Sequence, residues 1–424
     1  MKLFQKLTEV FLLVFVFLLP WQVKFILRPA ENNFNEISLY VSQLVLLLAL
    51  ITFFIYKLIK KEPSFQTPSI WYFLGGLEIF ILISFFFAPD QFLALYHYVL
   101  FLGGFSLFYL VREGISREAY EESCLNRIKI IYVFLISIFF QSVLAIYQFL
   151  SQNSFAFKYL GLAEHDPDML GSSVVETLSG RWLRAYGGMD HPNILGGVLV
   201  FALLLSVFLL ARKKIINSQI QMWAVILLFF SYFFALVALF FTFSRTAWIA
   251  YLVGMIILAI VFIKREERGT MMRFFALSFF SAVLLLLSVL PYRELVFTRI
   301  KAENRLEQVS LSERKEYLIE SWSVIKKNPL FGVGTGNYIK YLESNQAVKN
   351  PQPVHNSFLL IWAESGIFAL ISIVLFLFFL VRNKRRENFS LAVVISILVL
   401  LMLDHWFFSL PFGILFFFLI LGLI

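Results

Sequence analysis

The sequence predicts an all-α polytopic integral membrane protein of about twelve transmembrane helices, and three observations predict it. Of its 424 residues 60% are hydrophobic and only 15% charged, against roughly a quarter charged in an ordinary soluble domain. Mean hydropathy is +0.81. Phenylalanine alone fills 52 positions, an apolar surface that lipid can solvate and water cannot. The second observation is a series of spanning-length apolar runs, and the third is the alternation of Lys and Arg between their ends.

A helix needs roughly 20 apolar residues to cross the hydrocarbon core. Runs of that order fall around 7–27, 37–57, 70–88, 91–111, 128–150, 192–211, 220–242, 245–263, 273–291, 356–381, 389–404 and 407–424, the last two being short. The first follows Lys2 and Lys6, is interrupted at Pro20 and lacks a small-residue cleavage site, so it reads as a retained span. The chain then divides into an N-terminal bundle of five spans (1–150), a loop (151–191), four central spans (192–291), a large loop (292–355) and three C-terminal spans (356–424).

Cytoplasmic connections carry the positive excess, which fixes orientation. With the N-terminus inside, the inner connections hold Lys2 and Lys6; Lys57, Lys60 and Lys61; Arg112, Arg117, Arg127 and Lys129; Arg212, Lys213 and Lys214; Lys264, Arg265, Arg268 and Arg273; and Arg382, Lys384, Arg385 and Arg386. The short outer connections hold Lys24, Arg28 and Arg245. Both termini are therefore expected in the cytoplasm, and both long loops on the outer side. The formal charge of +9 belongs to these anchors beside anionic lipid, so no nucleic-acid partner is expected. A single cysteine, Cys124, excludes an internal disulfide and a multi-thiolate metal site.

Loops longer than about 12–15 residues usually carry function or structure of their own. In 292–355, the stretch Ser312 to Tyr317 followed by Leu318, Ile319, Trp322 and Ile325 predicts a short amphipathic helix capped by Ser312 and ended at Asn328-Pro329. Pro192 suits a first helical turn, with His191 or Asp190 as its cap.

Ionisable groups at membrane spans are functional candidates. Arg245 lies between two apolar helices with almost no loop; its guanidinium can pair with phosphate oxygens or snorkel to headgroups. His355 stands where the large loop re-enters the membrane, and an imidazole there can take a proton from a hydroxyl or simply precede a helix capped by Asn356 or Ser357. Glu364, beside Gly366 in the same span, needs a polar partner. Arg181 and Arg184 beside Gly187-Gly188 can form an anion-binding concavity. Gly332-Val333-Gly334-Thr335-Gly336 lacks the Gly-Lys-Ser/Thr ending of a phosphate loop and reads as turns. His165-Asp166-Pro167-Asp168 offers oxygen ligands for a divalent cation, though short acidic loop clusters are common without one. Asp404-His405 forms an outer turn and His97 falls within a span, both without a partner in the sequence. No serine-triad or HExxH signature is present.

In chain order, Arg184 to Gly187 with Asp190-His191-Pro192-Asn193, then Ser244-Arg245-Thr246-Ala247-Trp248, then Arg314 with Trp322, Pro329 and Gly332 to Tyr338 including Asn337, and finally His355-Asn356 followed after nine residues by Gly366, resemble the O-antigen ligase and O-antigen polymerase superfamily of bacterial envelopes. The resemblance covers roughly 180–380, and Ala369 departs from the family form. It implies a C-type glycosyltransferase-like fold in the bacterial inner membrane, working at the periplasmic face without a nucleotide sugar, cofactor or required metal. It implies a donor glycan on undecaprenyl diphosphate and an acceptor that is a glycan, lipid A-core or protein. His355 would deprotonate the acceptor hydroxyl, and Arg184 and Arg245 would hold the diphosphate. Asn356, Asp190, His191, Asn193, Arg314, Asn337, Glu364 and Gly366 would support them. The competing classes are a repeat-unit polymerase, a lipid-linked glycan transporter or flippase, and a non-catalytic scaffold.

Overall fold

The computed structural model describes residues 1–60, 70–115, 125–212, 219–265, 268–345, 348, 351–382 and 389–424. The anchors Lys61, Arg117, Lys213, Lys214, Lys384, Arg385 and Arg386, and Cys124, lie outside the described residues.

Helix α1 (Lys2–Leu18) ends just before Pro20, and the chain turns into a hairpin of β1 (Lys24–Arg28) and β2 (Ile37–Tyr40) before α2 (Val41–Lys60). The hairpin corrects the predicted first span: Phe25, Ile26 and Leu27 extend the apolar run but stand exposed on a strand. There follow α3 (Ile70–Ser84), α4 (Gln91–Gly114), α5 (Arg127–Ser151), a second hairpin of β3 (Val174–Thr177) and β4 (Gly180–Leu183), α6 (Pro192–Ala211), α7 (Gln219–Phe241), α8 (Arg245–Arg265) and α9 (Arg268–Val289). The large loop contains α10 (Arg293–Lys301), α11 (Arg305–Lys327) and α12 (Tyr338–Asn345). The chain closes with α13 (Ser357–Arg382), α14 (Phe389–Leu403), α15 (Trp406–Ser409) and α16 (Pro411–Leu423).

Nine of the described helices are long and apolar enough to cross a membrane. They are α2 to α9 and α13, α3 being extended by a single turn of 3-10 helix at Phe85–Phe87. The other three predicted runs correspond to the shorter α1, α14 and α16. Fifteen residues of α14 rise roughly 22 Å, short of a hydrocarbon core roughly 30 Å thick. The polar turn Asp404–His405 that follows is consequently held inside the protein, with Asp404 only 4% exposed.

α6 and α16 are apolar on every face and buried along nearly their whole length, as expected of helices enclosed by others. α9 is the opposite, with few buried residues and a perimeter position against α6, α7 and α8. α11 corrects the predicted start at Ser312. The helix already begins at Arg305, with Asn304 at the N-cap position, because residues 305–311 contain no breaker; Ser312 lies inside it and its hydroxyl donates to Val309 O.

The connections predicted to lie outside are tied together at one end of the bundle. Asn32 donates to Pro351 O, Asn35 to Glu343, and Arg28 pairs with Asp90 at 2.8 Å. Asp90 and Asn337 exchange hydrogen bonds, Asp90 N donating to Asn337 Oδ1 and Asn337 Nδ2 to Asp90 O.

The segment 332–338 is clasped to α13 where that helix breaks. Gly366 has φ 83° and ψ 176°, a conformation essentially reserved for glycine. Val333 N and Gly334 N donate to Ala363 O and Glu364 O, and Ile367 N to Pro329 O. The Glu364 carboxylate accepts from Gly336 N and Tyr338 N. A Cβ at Gly366 would stand 1.9 Å from Leu330 O. Gly366→Ala should therefore lower stability by at least about 1–3 kcal/mol in thermal unfolding of the detergent-solubilised protein. Gly75→Ala in α3, where nothing lies within 4 Å of the added carbon, should melt no earlier than the parent.

Candidate functional site

Three residues, Thr242 to Ser244, join α7 to α8. Buried Phe243 adopts φ 44°, rare for an aromatic residue. Two carbonyls of this turn each receive an arginine. Arg184 Nε donates to Thr242 O at 2.7 Å, and Arg299 Nε to Phe243 O at 3.0 Å. Arg245 opens α8 on the same turn and pairs with Glu307 at 3.3 Å, while its Nη1 donates to Arg299 O. Glu307 also pairs with Arg299, so one nearly sealed carboxylate faces two guanidiniums. Arg314, seven residues along α11 on the same face as Glu307, is near enough to feel Asp404, Arg245 and Glu307, and burial above all lowers its pKa from the usual guanidinium value. Burial, aided by Arg299 and Arg245, likewise weakens the proton affinity of Arg184 despite the nearby Glu307.

Arg184 connects this arginine group to a second, imidazole-bearing group. Its Nη2 donates to Asn193 Oδ1 at 2.7 Å, and Asn193 Nδ2 donates to Asp404 Oδ2 at 3.3 Å. His191 supplies the N-cap of α6, its Nδ1 accepting from Asn193 N. At the start of α13, Asn356 Oδ1 accepts from Phe358 N and Leu359 N, both at 3.0 Å, and Asn356 Nδ2 donates to Met402 O. Ser357 Oγ donates to Asp404 O at 2.8 Å. The cap at Asn356 thereby docks the head of α13 onto the end of α14, and His355 falls beside Asp404 and His405.

The rings of His355 and His405 meet edge-on with centroids 5.0 Å apart, and Tyr317 lies parallel to His355 on α11 at 6.0 Å. One ligand-capable atom from each of His355, Asp404 and His405 lies within 4.8 Å of the others. His405 Nδ1 engages Ser409 Oγ at 2.7 Å, while His355 Nδ1 is buried with no hydrogen-bond partner among the described residues. Burial is the largest influence on His355 and lowers its pKa below the usual 6.5; Asp404 opposes this and Arg314 reinforces it, which keeps the imidazole neutral and able to accept a proton. Burial and His355 bring His405 down to about 3. For Asp404 burial acts upward, but the groups around it, the donating His405 amide among them, hold its pKa below the usual carboxylate value, so it is ionised at neutral pH.

A cavity of about 840 Å³ opens on this second group. It is lined by His355, His405, Asp404, His191, Asn193 and Asp190, together with Asn32, Glu36, Tyr96, Glu343 and Gln352. A smaller cavity, about 590 Å³, lies beside α10 and contains none of the predicted site residues.

Of the predicted residues, His355, Asn356, His191, Asn193, Arg184, Arg245 and Arg314 converge here, and Asp190 faces the cavity. Asn337, Glu364 and Gly366 do not join them; they build the clasp between 332–338 and α13. The glycines of 332–336 are turns of that clasp, with positive φ at Gly332, Gly334 and Gly336. His165 stacks on Tyr186 at 4.1 Å, and Asp166 caps the Asp168 amide, so the oxygen cluster there closes an Asx turn. Sequence reasoning missed Arg299 and Glu307 and left Asp404-His405 without a partner. The i, i+7 spacing of Glu307 and Arg314 was the available signal, placing both on one helix face.

Residues 230–374, about a third of the chain, match the family model described as O-antigen ligase. The match contains Arg245, Arg299, Glu307, Arg314 and His355, and stops short of Asp404 and His405. No curated protein and no solved structure matches the chain.

Removing one partner from a buried ion pair costs about 3–5 kcal/mol, because it strands the other charge. Glu307→Ala, which strands Arg299, should destabilise the solubilised protein on that scale in thermal unfolding. Arg305→Ala breaks an exposed pair with Glu176 and should change stability by less than about 1 kcal/mol.

Proposed function

We propose that this chain, whose residues 230–374 match the O-antigen ligase family model and whose apolar helices are long enough to cross a membrane, is a multi-pass bacterial membrane protein of that superfamily and transfers a glycan from an undecaprenyl-diphosphate carrier to an acceptor hydroxyl at the periplasmic face. The observation that carries this reading is the pairing of two chemistries at one end of the bundle. A neutral imidazole, His355, stands next to Asp404, and the arginine group is linked to the same carboxylate through Arg184–Asn193, with Arg314 close enough to feel its charge.

In this reading His355 accepts the acceptor's hydroxyl proton as the oxygen attacks the anomeric carbon. The bond from that carbon to the diphosphate oxygen breaks, and the leaving diphosphate carries away the electron pair. Arg245 and Arg314, the less enclosed guanidiniums, meet the growing negative charge, and Arg184 and Arg299 behind them complete a fixed positive field. The N-terminus of α8 at Arg245 adds its own dipole to an anion held there. Asp404, ionised beside the ring, stabilises the imidazolium that forms.

Three features support the cellular side. The short connections at this end carry few Lys and Arg, whereas the opposite helix ends carry Lys57, Lys60, Arg112, Arg127, Lys129, Arg212 and Arg382. Arg273 donates to Ala211 O at that opposite end, tying α9 to the tail of α6. The exposed apolar perimeter of α9 and α8 suits a lipid-borne donor arriving sideways. The twelve-span arrangement, with both termini cytoplasmic, counts α1, α14 and α16 as the remaining crossings.

In proteoliposomes given a purified lipid-diphosphate glycan donor, His355→Ala and Arg245→Ala should each reduce transfer by about 100-fold or more while the protein stays membrane-inserted. Transfer at the parental rate by both variants would refute the roles given to His355 and Arg245, and no transfer by the parent would refute the enzyme reading in favour of a transporter or scaffold. Chains that lengthen on the carrier identify a polymerase; capture by lipid A-core or protein identifies a ligase. Chelator should not abolish the reaction.

A further inference from the structure

The trio of His355, Asp404 and His405 has a composition that proton transfer does not require. Two imidazoles and one carboxylate, drawn from the start of α13 and the turn after α14, present one ligand atom each within 4.8 Å of the others. Two nitrogens and one oxygen form the donor set on which borderline divalent transition metals settle, with further positions left to water or substrate. A tetrahedral zinc site places its ligand atoms roughly 3.3 Å apart, so closure needs shifts of only about an ångström, within reach of side-chain rotation.

The surroundings are built for such an ion. His405 Nδ1 already engages Ser409 Oγ, which leaves Nε2 for a metal, the arrangement in which a second-shell partner fixes the ring. Asp404 is held from two sides, by Asn193 Nδ2 and by the His405 amide at 2.9 Å, and Asn193 is itself fixed by Arg184. His355 Nδ1 is buried without a hydrogen-bond partner among the described residues. The cavity gives access, and its wall carries Glu31, Glu36, Asp190 and Glu343 together with Lys24, which pairs with Glu36.

We propose that His355, Asp404 and His405 form a binding site for a divalent transition-metal ion of the zinc type, and that an ion held there silences His355. The first half stands on the ligand geometry alone; the second rests on His355 being the base of the proposed transfer. A coordinated nitrogen has its lone pair in the metal bond and cannot take a proton from an acceptor hydroxyl. The ion is thus an inhibitor, not a cofactor, and a chelator would raise transfer or leave it unchanged.

The test uses the full-length chain in detergent, stripped with chelator and titrated with Co²⁺ by visible absorption, then with Zn²⁺ by calorimetry and displacement. One Co²⁺ per chain, with the intense visible bands of low coordination and displacement by Zn²⁺, is expected. His405→Ala and Asp404→Asn should each weaken binding at least tenfold, and Asn193→Ala roughly 10–100-fold through the lost support of Asp404. Asp166→Asn, at the His165 turn, should bind as the parent does. Monodisperse elution and helical circular dichroism qualify each variant, with His405→Gln replacing any His405→Ala that fails to fold. No saturable Co²⁺ uptake by the parent, or equal uptake by the folded His405 and Asp404 variants, overturns the site. Zinc at saturating occupancy should then suppress transfer by the parent at least tenfold. Metal bound with transfer undiminished refutes the silencing while leaving both the site and the transferase intact. A parent protein that binds zinc yet never transfers glycan, stripped or loaded, refutes the transferase reading and not the site.

Discussion

The guanidinium of Arg184 holds the two halves of the site in register. It is nearly sealed from solvent, and its planar fork donates in two directions, to the Thr242 carbonyl between α7 and α8 and to Asn193 at the head of α6. A single flexible ammonium could not fix both at once. Through Asn193 the same fork reaches Asp404, 220 positions further along the chain, and Asp404 in turn faces the two imidazoles. The central bundle, the tight α7–α8 turn and the C-terminal helices are thus locked together by polar contacts in an otherwise apolar interior, where an unmatched donor is costly.

That arrangement explains why a buried cluster of arginines is tolerated. Arg299 and Arg245 share Glu307, and Arg184 and Arg299 each reach a carbonyl of the α7–α8 turn. The left-handed backbone at Phe243 belongs to this three-residue turn, whose carbonyls act as acceptors for the two buried cations. Local strain at one aromatic residue therefore accompanies a fixed cluster of positive charge linked through Asn193 and Asp404 to the imidazoles.

Much of this was legible in the sequence, and the rest was hidden for identifiable reasons. Apolar runs marked the helices well because each spans many residues, and His355 and Arg245 stood out as ionisable groups at span ends. The β1–β2 hairpin was invisible because Lys24 to Arg28 continues the hydropathy of α1 across Pro20. The clasp residues Asn337, Glu364 and Gly366 looked like site residues because motif spacing records chain position and not depth; nine residues along α13 separate Glu364 from His355, roughly 13 Å of rise. Glu307 and Arg299 meet across the α10–α11 turn at Ala302, and Asp404 meets His355 across all of α13 and α14. Neither contact leaves a periodic trace.

α10 and α11, with Arg299, Glu307 and Arg314, follow α9, the described spanning helix with the least protein around it, but pack on β3 and α13. A helix whose flanks are mostly lipid takes its tilt from the bilayer as much as from its neighbours, because hydrophobic mismatch is relieved by leaning or straightening. The arginine-bearing helices are therefore anchored away from that lipid-facing strut, α10 on the β3–β4 hairpin and the α7–α8 turn and α11 on α13.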